Sequence, residues 1–311
     1  MPRSIRLAMA VLAVALGFFI RGPLVAWASV DGSFERTYSV TGAVDLEVKN
    51  HSGDISIRGG PPGSVTVRGK IRVGERWFRG DHRADVENIE KDPPIRQSGN
   101  SIRIDYLSNQ DISVDYEITA PPDTSLRMSD GSGNQQLEGL RGTIDLEAGS
   151  GDVRLRDIVS SRMSLHAGSG DIVAQEVSGP WTAEAGSGNV RLEEKGEGDV
   201  RIRTGSGNID VRGVRGALRV ESGSGNTDIS GTNNSTWEVR TGSGNVDLTV
   251  PAEAAFDLDA TTGSGSIVTD RAISMTVQGD LRKSQHTIRG KVAGGGPLLK
   301  VHTGSGDIQI H

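Results

Sequence analysis

The sequence predicts an all-β chain: a single-stranded parallel β-solenoid with coils of about 18–19 residues and a less regular β-rich N-terminal cap. Parallel coils wound in one direction are expected to be right-handed. Three observations carry the fold class. The tripeptide Gly-Ser-Gly occurs nine times, beginning at Gly131, Gly149, Gly168, Gly186, Gly205, Gly223, Gly242, Gly263 and Gly304. The segments on either side alternate apolar and polar residues with a period of two, and they are rich in Val and Ile. Glycine supplies 43 of the 311 residues, while aromatics make up only 4%. That composition suits a thin interior filled by aliphatic side chains, with glycine at regular corners.

The N-terminus reads as an export signal. Arg3 and Arg6 precede an uncharged, mostly apolar run over 7–20, and Arg21 ends it. A small-residue site follows at Ala26-Trp27-Ala28, so residues 1–28 are expected to be a secretory signal peptide. A helix over that run would be about 21 Å long, short of the ~30 Å hydrocarbon core. No stable membrane span is expected after cleavage, and the location is read as periplasmic, cell-envelope or extracellular. Whether the segment is instead kept as an anchor is left open.

Residues 29–128 are read as an N-terminal β-rich capping region. Strands are expected at 43–48, 55–58, 64–73, 101–106 and 112–118. Ala84, Val86 and Ile89 fit a short helix within 81–92, stopped by Pro93-Pro94. Loose copies of the corner stand at His51-Ser52-Gly53-Asp54 and Gln97-Ser98-Gly99-Asn100. Such a region would cover the open strand edge that every solenoid exposes at its ends.

Residues 129–311 are read as the repeat solenoid. Successive tripeptides are 18, 19, 18, 19, 18, 19, 21 and 41 residues apart, the last reading as two repeats with one motif lost. The position after each tripeptide is Asn134, Asp152, Asp171, Asn189, Asn208, Asn226, Asn245, Ser266 and Asp307, a candidate structural turn ladder. The 21-residue spacing adds Phe256 to the inward face of Leu258 and Ala260, because an even insertion keeps the face. Trp181 and Trp237 fall in the inward column of Ile144 and Val200 and read as core. Two places before each tripeptide, Glu147, His166, Glu184, Arg203, Glu221 and Arg240 point outward, so an exposed charge ladder is expected. The chain finishes within the strand Ile308-Gln309-Ile310, which reads as an open last coil able to pair end to end with another copy.

The Asn50-His-Ser-Gly-Asp-Ile55 copy, the Val114-Asp-Tyr-Glu-Ile-Thr-Ala-Pro121 segment and the Gly-Ser-Gly-Asp/Asn coils form a set with the closing Gly294-Gly-Gly-Pro-Leu-Leu-Lys-Val301 run. Together they resemble the bacterial putative adhesin family known as domain of unknown function 4097. The resemblance covers most of the chain beyond the signal. It implies an exported or envelope-associated β-solenoid, and it brings no catalytic motif with it.

The residues themselves exclude much chemistry. With no Cys there is no disulfide framework, lipoprotein anchor or thiolate metal site. The six His show no close pair, so no metal site is assigned, and no phosphate-binding glycine loop or cofactor motif appears. Gly-Ser-Gly-Asp resembles calcium-binding nonapeptide repeats, but it recurs at half their density and most ladder positions are Asn or Ser. The signal carries three Arg and no acid, so the remainder has 31 bases against 40 acids, which argues against nucleic acid. The reading is a non-enzymatic exported scaffold or adhesin-like binder of a protein or glycan, with no catalytic residue assigned. The alternatives are a carbohydrate-active β-helix enzyme and a self-assembling solenoid. The outward column Asp210, Asp228 and Asp247 is the best acidic cluster, and Trp77-Phe78 is the best exposed aromatic pair, so these five are the candidate surface-binding residues. The following Arg79-Gly80-Asp81 is read as a chance tripeptide.

Overall fold

The computed structural model describes residues 32–74, 82–109, 111–274 and 286–311. The signal segment, Trp77, Phe78 and Arg79-Gly80-Asp81 lie outside the described residues.

The N-terminal part supplies β1 (Gly32–Ser39), β2 (Asp45–Ser52), β3 (Ile55–Gly59), β4 (Ser64–Val73), helix α1 (Arg83–Lys91), β5 (Ile95–Ser98), β6 (Ser101–Ile104) and β7 (Ile112–Ala120). Regular coils follow as strand pairs. They are β8 (Ser125–Ser132) with β9 (Gln135–Glu138), β10 (Ile144–Ser150) with β11 (Val153–Val159), and β12 (Met163–Ser169) with β13 (Ile172–Ser178). Next come β14 (Trp181–Ser187) with β15 (Val190–Glu194), β16 (Val200–Ser206) with β17 (Ile209–Val214), and β18 (Leu218–Ser224) with β19 (Thr227–Gly231). β20 (Trp237–Ser243) with β21 (Val246–Thr249) and β22 (Phe256–Ser264) with β23 (Ile267–Thr269) continue the series. The chain closes with β24 (Ile273–Ser274), β25 (Thr287–Val292), β26 (Leu298–Ser305) and β27 (Ile308–Ile310).

The first strand of each coil enters one sheet and the second strand enters the other. Among the described residues these sheets have fourteen and thirteen strands. Neighbouring coils pair in parallel and in register, so like stacks on like. The column Ile144, Met163, Trp181, Val200, Leu218, Trp237 and Leu299 runs unbroken through the first sheet. Both sheets turn their apolar positions inward, and Trp181, Trp237 and Phe256 are among the largest fully buried side chains. Coils 18–19 residues long therefore bury in the stack what no single coil could bury alone.

The corner makes glycine obligatory twice over. The second glycine of each tripeptide has a positive φ, for example 140° at Gly207. A Cβ on Gly207 would lie 1.9 Å from the carbonyl oxygen of Gly188 in the coil before. The first glycine faces the same obstacle: a Cβ on Gly205 would lie 2.6 Å from the oxygen of Gly186. Between them, the serine carbonyl accepts the N–H of the second glycine one coil earlier, as Ser206 does from Gly188 at 3.0 Å. Backbone pairing thus continues through the bend instead of lapsing there.

Three expectations are corrected at the ends. The 41-residue gap is not a repeat that lost its motif. After β23 the chain forms β24 and β25, and β25 runs antiparallel to β22. It then re-enters the stack, where β26 lies between β20 and β22 and β27 lies between β21 and β23. The Ile308–Ile310 strand is consequently paired on both sides and offers no open edge, so end-to-end association through it is ruled out. The third correction concerns Gln97-Ser98-Gly99-Asn100. It is no solenoid corner but the turn of an antiparallel hairpin, with Ser98 opposite Ser101 and Gly99 at φ 58°.

The other end is built the same way. β2 and β3 form the earliest coil, yet they lie one layer in, with β8 and β9 on one side and β6 and β7 on the other. β4 runs antiparallel to both β7 and β1, and α1 packs against β1. Arg36 of β1 donates to the carbonyls of Glu90 and Lys91 at 2.7 and 2.9 Å, satisfying acceptors at the end of the helix. Gly69 lets the Phe34 ring lie directly over the strand, and that ring meets Tyr116 edge-on at 6.3 Å.

Among the described residues, two carboxyls are buried in this apolar interior. Glu194 stands in register with Val177 and is 7% exposed, with neither oxygen hydrogen-bonded among the described residues. Burial pushes its pKa up to about 8; the Asp199 charge adds to the rise and Arg215 opposes it. Asp130, 3% exposed just before a corner, is pushed up to about 7, chiefly by burial. A carboxyl whose folded pKa exceeds its unfolded value favours the fold most below the unfolded pKa. That stability is lost as pH rises through the folded pKa.

Two outcomes are expected from this architecture. Gly207→Ala should lower the unfolding free energy by about 2–4 kcal/mol in a urea titration, whereas Ser206→Ala should change it by less than about 1. The wild-type protein should lose stability between the unfolded Glu pKa of 4.5 and pH 8. Glu194→Leu should flatten that loss and raise the melting temperature at pH 8.

Candidate functional site

Corner stacking generates a ladder and a groove. In the ladder, the side-chain oxygen of each corner residue accepts the backbone N–H of the equivalent residue one coil further on. Asp54 accepts from Asn134 at 2.8 Å, Asn134 from Asp152 at 3.2 Å, Asp152 from Asp171 at 3.1 Å and Asp171 from Asn189 at 2.8 Å. Asn189 accepts from Asn208 at 3.0 Å, Asn208 from Asn226 at 2.9 Å and Asn226 from Asn245 at 3.1 Å. Asn245 then accepts from Asp307 at 2.9 Å, and Asp307 from Ser266 at 2.8 Å. The spatial order therefore passes from Asn245 to Asp307 and back to Ser266. Asp and Asn are equivalent here because both place an acceptor oxygen on Cγ. Ser266 stands last and passes no bond onward; its hydroxyl donates back to Asp307 at 2.8 Å. Accepting these bonds holds the Asp307 carboxyl below its ordinary pKa. At the other end Asp115 of β7 accepts from Asp54 at 3.0 Å, a role its own sequence context does not signal.

The groove runs beside this ladder, on the outside of the first sheet. Its floor is backbone, formed by the first glycines of the tripeptides. One wall is the outward column His166, Glu184, Arg203, Glu221, Arg240 and His302. This stretch is an open depression of about 750 Å³. A second stretch of about 460 Å³ shares His166 and Ala167 with it and continues past Glu147 to Tyr106 and His51. The two span nine successive strands, from β2 to β26, or about 38 Å at the usual strand spacing. At the far end the Tyr106 ring, 41% exposed, stacks on His51 with centroids 4.3 Å apart.

Acid and base alternate along this wall as far as Arg240, which then meets His302. His166 lies 3.4 Å from Glu184, and Arg203 lies 2.9 Å from Glu221. Arg219, one column over, also donates to Glu221, and this pairing holds the Glu221 carboxyl below its ordinary pKa. Arg219 reaches Glu238 at 3.3 Å as well, and Arg240 turns to Glu238 on its own strand. Two carboxylates thus serve three guanidinium groups.

The acidic column lies on the second sheet. Asp210, Asp228 and Asp247 occupy the same register on β17, β19 and β21. Asp210 is held by Arg191 at 3.2 Å and Arg212 at 3.0 Å. Asp247 lies 3.8 Å from His311. The Asp228 carboxyl is raised above its ordinary pKa, by burial first and then by Asp247 and Asp210. Trp77 and Phe78 lie outside the described residues. Among the described residues no group of three or more His, Asp or Glu is placed to hold a metal ion. No helix among them is long and apolar enough to cross a membrane.

Two features of the molecule escaped sequence reasoning. The period of two places Val190, Leu192 and Glu194 on one face, a signal that marks Glu194 as inward. The Tyr106–His51 stack has no such signal, since Tyr106 reaches His51 only after the chain leaves β6.

The ladder, the paired sheets and the tripeptide corners define a β-solenoid of stacked two-strand coils. Residues 36–311 match the Toastrack DUF4097 family, and the chain belongs to it. No curated protein matches the chain. Among solved structures, a "putative adhesin" from Bacteroides fragilis is 12% identical over 90% of this chain and 97% of its own, with a TM-score of 0.37. A "putative cell adhesion protein" from Clostridium sporogenes is 12% identical over 90% and 99%, with a TM-score of 0.22. A "putative adhesin" from Parabacteroides distasonis is 11% identical over 90% and 97%, with a TM-score of 0.33.

Asn208→Ala should destabilise the protein by about 1–2 kcal/mol in thermal unfolding, because the Asn226 N–H loses its acceptor. Asn208→Asp should be close to neutral, as it keeps the oxygen. Arg203→Glu should cost about 0.5–1 kcal/mol, with the loss shrinking at high salt, as expected for exposed pairs.

Proposed function

We propose that the protein is exported through a cleaved leader at 1–28 and acts at the cell envelope as a non-catalytic binding scaffold. Residues 29–128 close one end of the stack, and 129–311 present the repeat surface. The observation that carries this reading is the continuous groove of about 38 Å beside the corner ladder. It is built on backbone whose hydrogen bonds are consumed coil to coil, so it is rigid and periodic, as a surface for an elongated partner must be.

A second reading, a carbohydrate-active enzyme on the acidic column, is favoured by the raised Asp228 carboxyl. It is opposed by Asp210, whose carboxylate is occupied by Arg191 and Arg212.

Expression in a bacterial host should place the protein in the envelope or periplasmic fraction, with Ser29 as the first residue by N-terminal sequencing. Retention in the cytosol at full length would overturn the export reading. Incubation with acidic and neutral glycans should release no new reducing ends. Release that disappears in Asp228→Asn would establish the enzyme instead.

A further inference from the structure

We propose that the groove binds a linear anionic glycan laid along the solenoid axis. Its charges would be read by β16, β18, β20 and β26, and one of its rings would be received by Tyr106. This rests on the groove being the binding surface proposed above, and it names the ligand class.

Charge is the first argument. The four strands are consecutive in the sheet, and two outward columns across them make eight positions. Five carry permanent cations and two carry carboxylates, on a chain whose net charge is −6. The two carboxylates are shared among Arg203, Arg219 and Arg240, as described above. Arg201 and Lys300 form no ion pair with a carboxylate among the described residues. Arg203 and Arg240 line the groove and Arg201, Arg219 and Lys300 stand in the adjacent outward column, so cation is left over on this face of an otherwise acidic molecule. Guanidinium groups bind carboxylate or sulfate through paired N–H donors.

Geometry is the second. Taken across the two columns, each of the four strands carries at least one cation, so a cation is met at every coil spacing of about 4.8 Å, which is of the order of one sugar ring in an extended chain. A glycan charged along its length can keep step with that repeat over several coils. The aromatic platform is the third argument: the exposed Tyr106 ring, braced by His51, gives the apolar face of a sugar ring a flat surface at one end of the groove.

The same features disfavour an acidic peptide. Extended peptides gain most of their affinity by adding to a free strand edge. Every strand along the cationic wall is interior to its sheet and paired on both sides. The groove offers side chains and no unpaired ladder, so a peptide would gain charge contacts alone.

The test is calorimetric titration of the protein with three probes: oligogalacturonate as a linear uronate glycan, dextran as a neutral one, and polyglutamate as an acidic peptide. Oligogalacturonate is expected to bind, with affinity falling steeply as salt is raised. Dextran and polyglutamate are expected to bind at least about tenfold more weakly. Arg240→Ala/Lys300→Ala should weaken oligogalacturonate binding by about tenfold or more while leaving thermal unfolding near wild type. Tyr106→Ala should weaken it severalfold without altering its salt dependence. Polyglutamate binding as tightly as oligogalacturonate, with Tyr106→Ala silent, would overturn the glycan assignment in favour of a general polyanion patch. Dextran binding equally well would overturn the charge readout while sparing the binding-surface reading. If no probe binds, the inference fails; capture of envelope material by the immobilised protein then decides whether the broader reading survives.

Discussion

At each corner a glycine Cα lies against a carbonyl oxygen of the neighbouring coil, so closely that a single methyl would clash with that oxygen, at 1.9 Å in the case of Gly207. This approach sets the coil spacing, and everything else follows from it. With the corners in contact, the strands on both sides come into hydrogen-bonding register without a break at the bend. The positive φ of the second glycine turns the chain from one sheet to the other within a few residues. The Asp/Asn ladder is a consequence of the same contact, since only at this separation can a side-chain oxygen reach the backbone N–H of the next coil. The groove is a consequence too, because the residue that forbids a side chain leaves backbone where a wall would otherwise stand.

The ends of the stack show how the edges are managed. At both ends the chain forms a coil, moves outward to build a covering layer that includes antiparallel strands, and places the coil nearest the terminus one layer in. The earliest and the latest coils are thus clamped between others, and the outermost positions are held by segments with a different connectivity. A solenoid assembled only in sequence order would leave a parallel edge open to other chains. Antiparallel returns close much of that edge with the chain's own residues.

Polar groups meet two different fates in this frame. On the outside, charges stand in columns at the strand spacing, so each has neighbours above and below, and the sequence order of the coils decides whether they attract. In one outward column of the first sheet acid and base alternate; in the second sheet three aspartates fall in succession, and burial together with its two neighbours raises the middle one. Inside, burial dominates at Glu194 and Asp130 and both hold their protons more tightly; Asp199 and Asp54 add to the effect, and Arg215 opposes it at Glu194. The first fate arranges surface charge in columns; the second gives a contribution to stability that is lost as pH rises through the raised pKa values of these two carboxyls.

Much of this was legible in the sequence. The tripeptide spacing gave the coil length, the period of two gave the inward and outward faces, and the residue after each tripeptide marked the ladder. Those features are local: they depend on which residue sits a fixed number of places from a glycine. The order of the coils in space was not legible. Asp307 comes after Ser266 in the chain and before it in the ladder, because the closing segment inserts between two coils already formed. Nothing near residue 300 announces this, since a strand at the C-terminal edge and a strand slotted into the interior carry the same alternation. Likewise Gln97-Ser98-Gly99-Asn100 has the composition of a corner but lies between antiparallel strands, where no neighbouring coil stacks upon it. Sequence alone determined the repeating unit; which unit lies beside which was decided by the tertiary structure, because lateral pairing is made between coils and not within them.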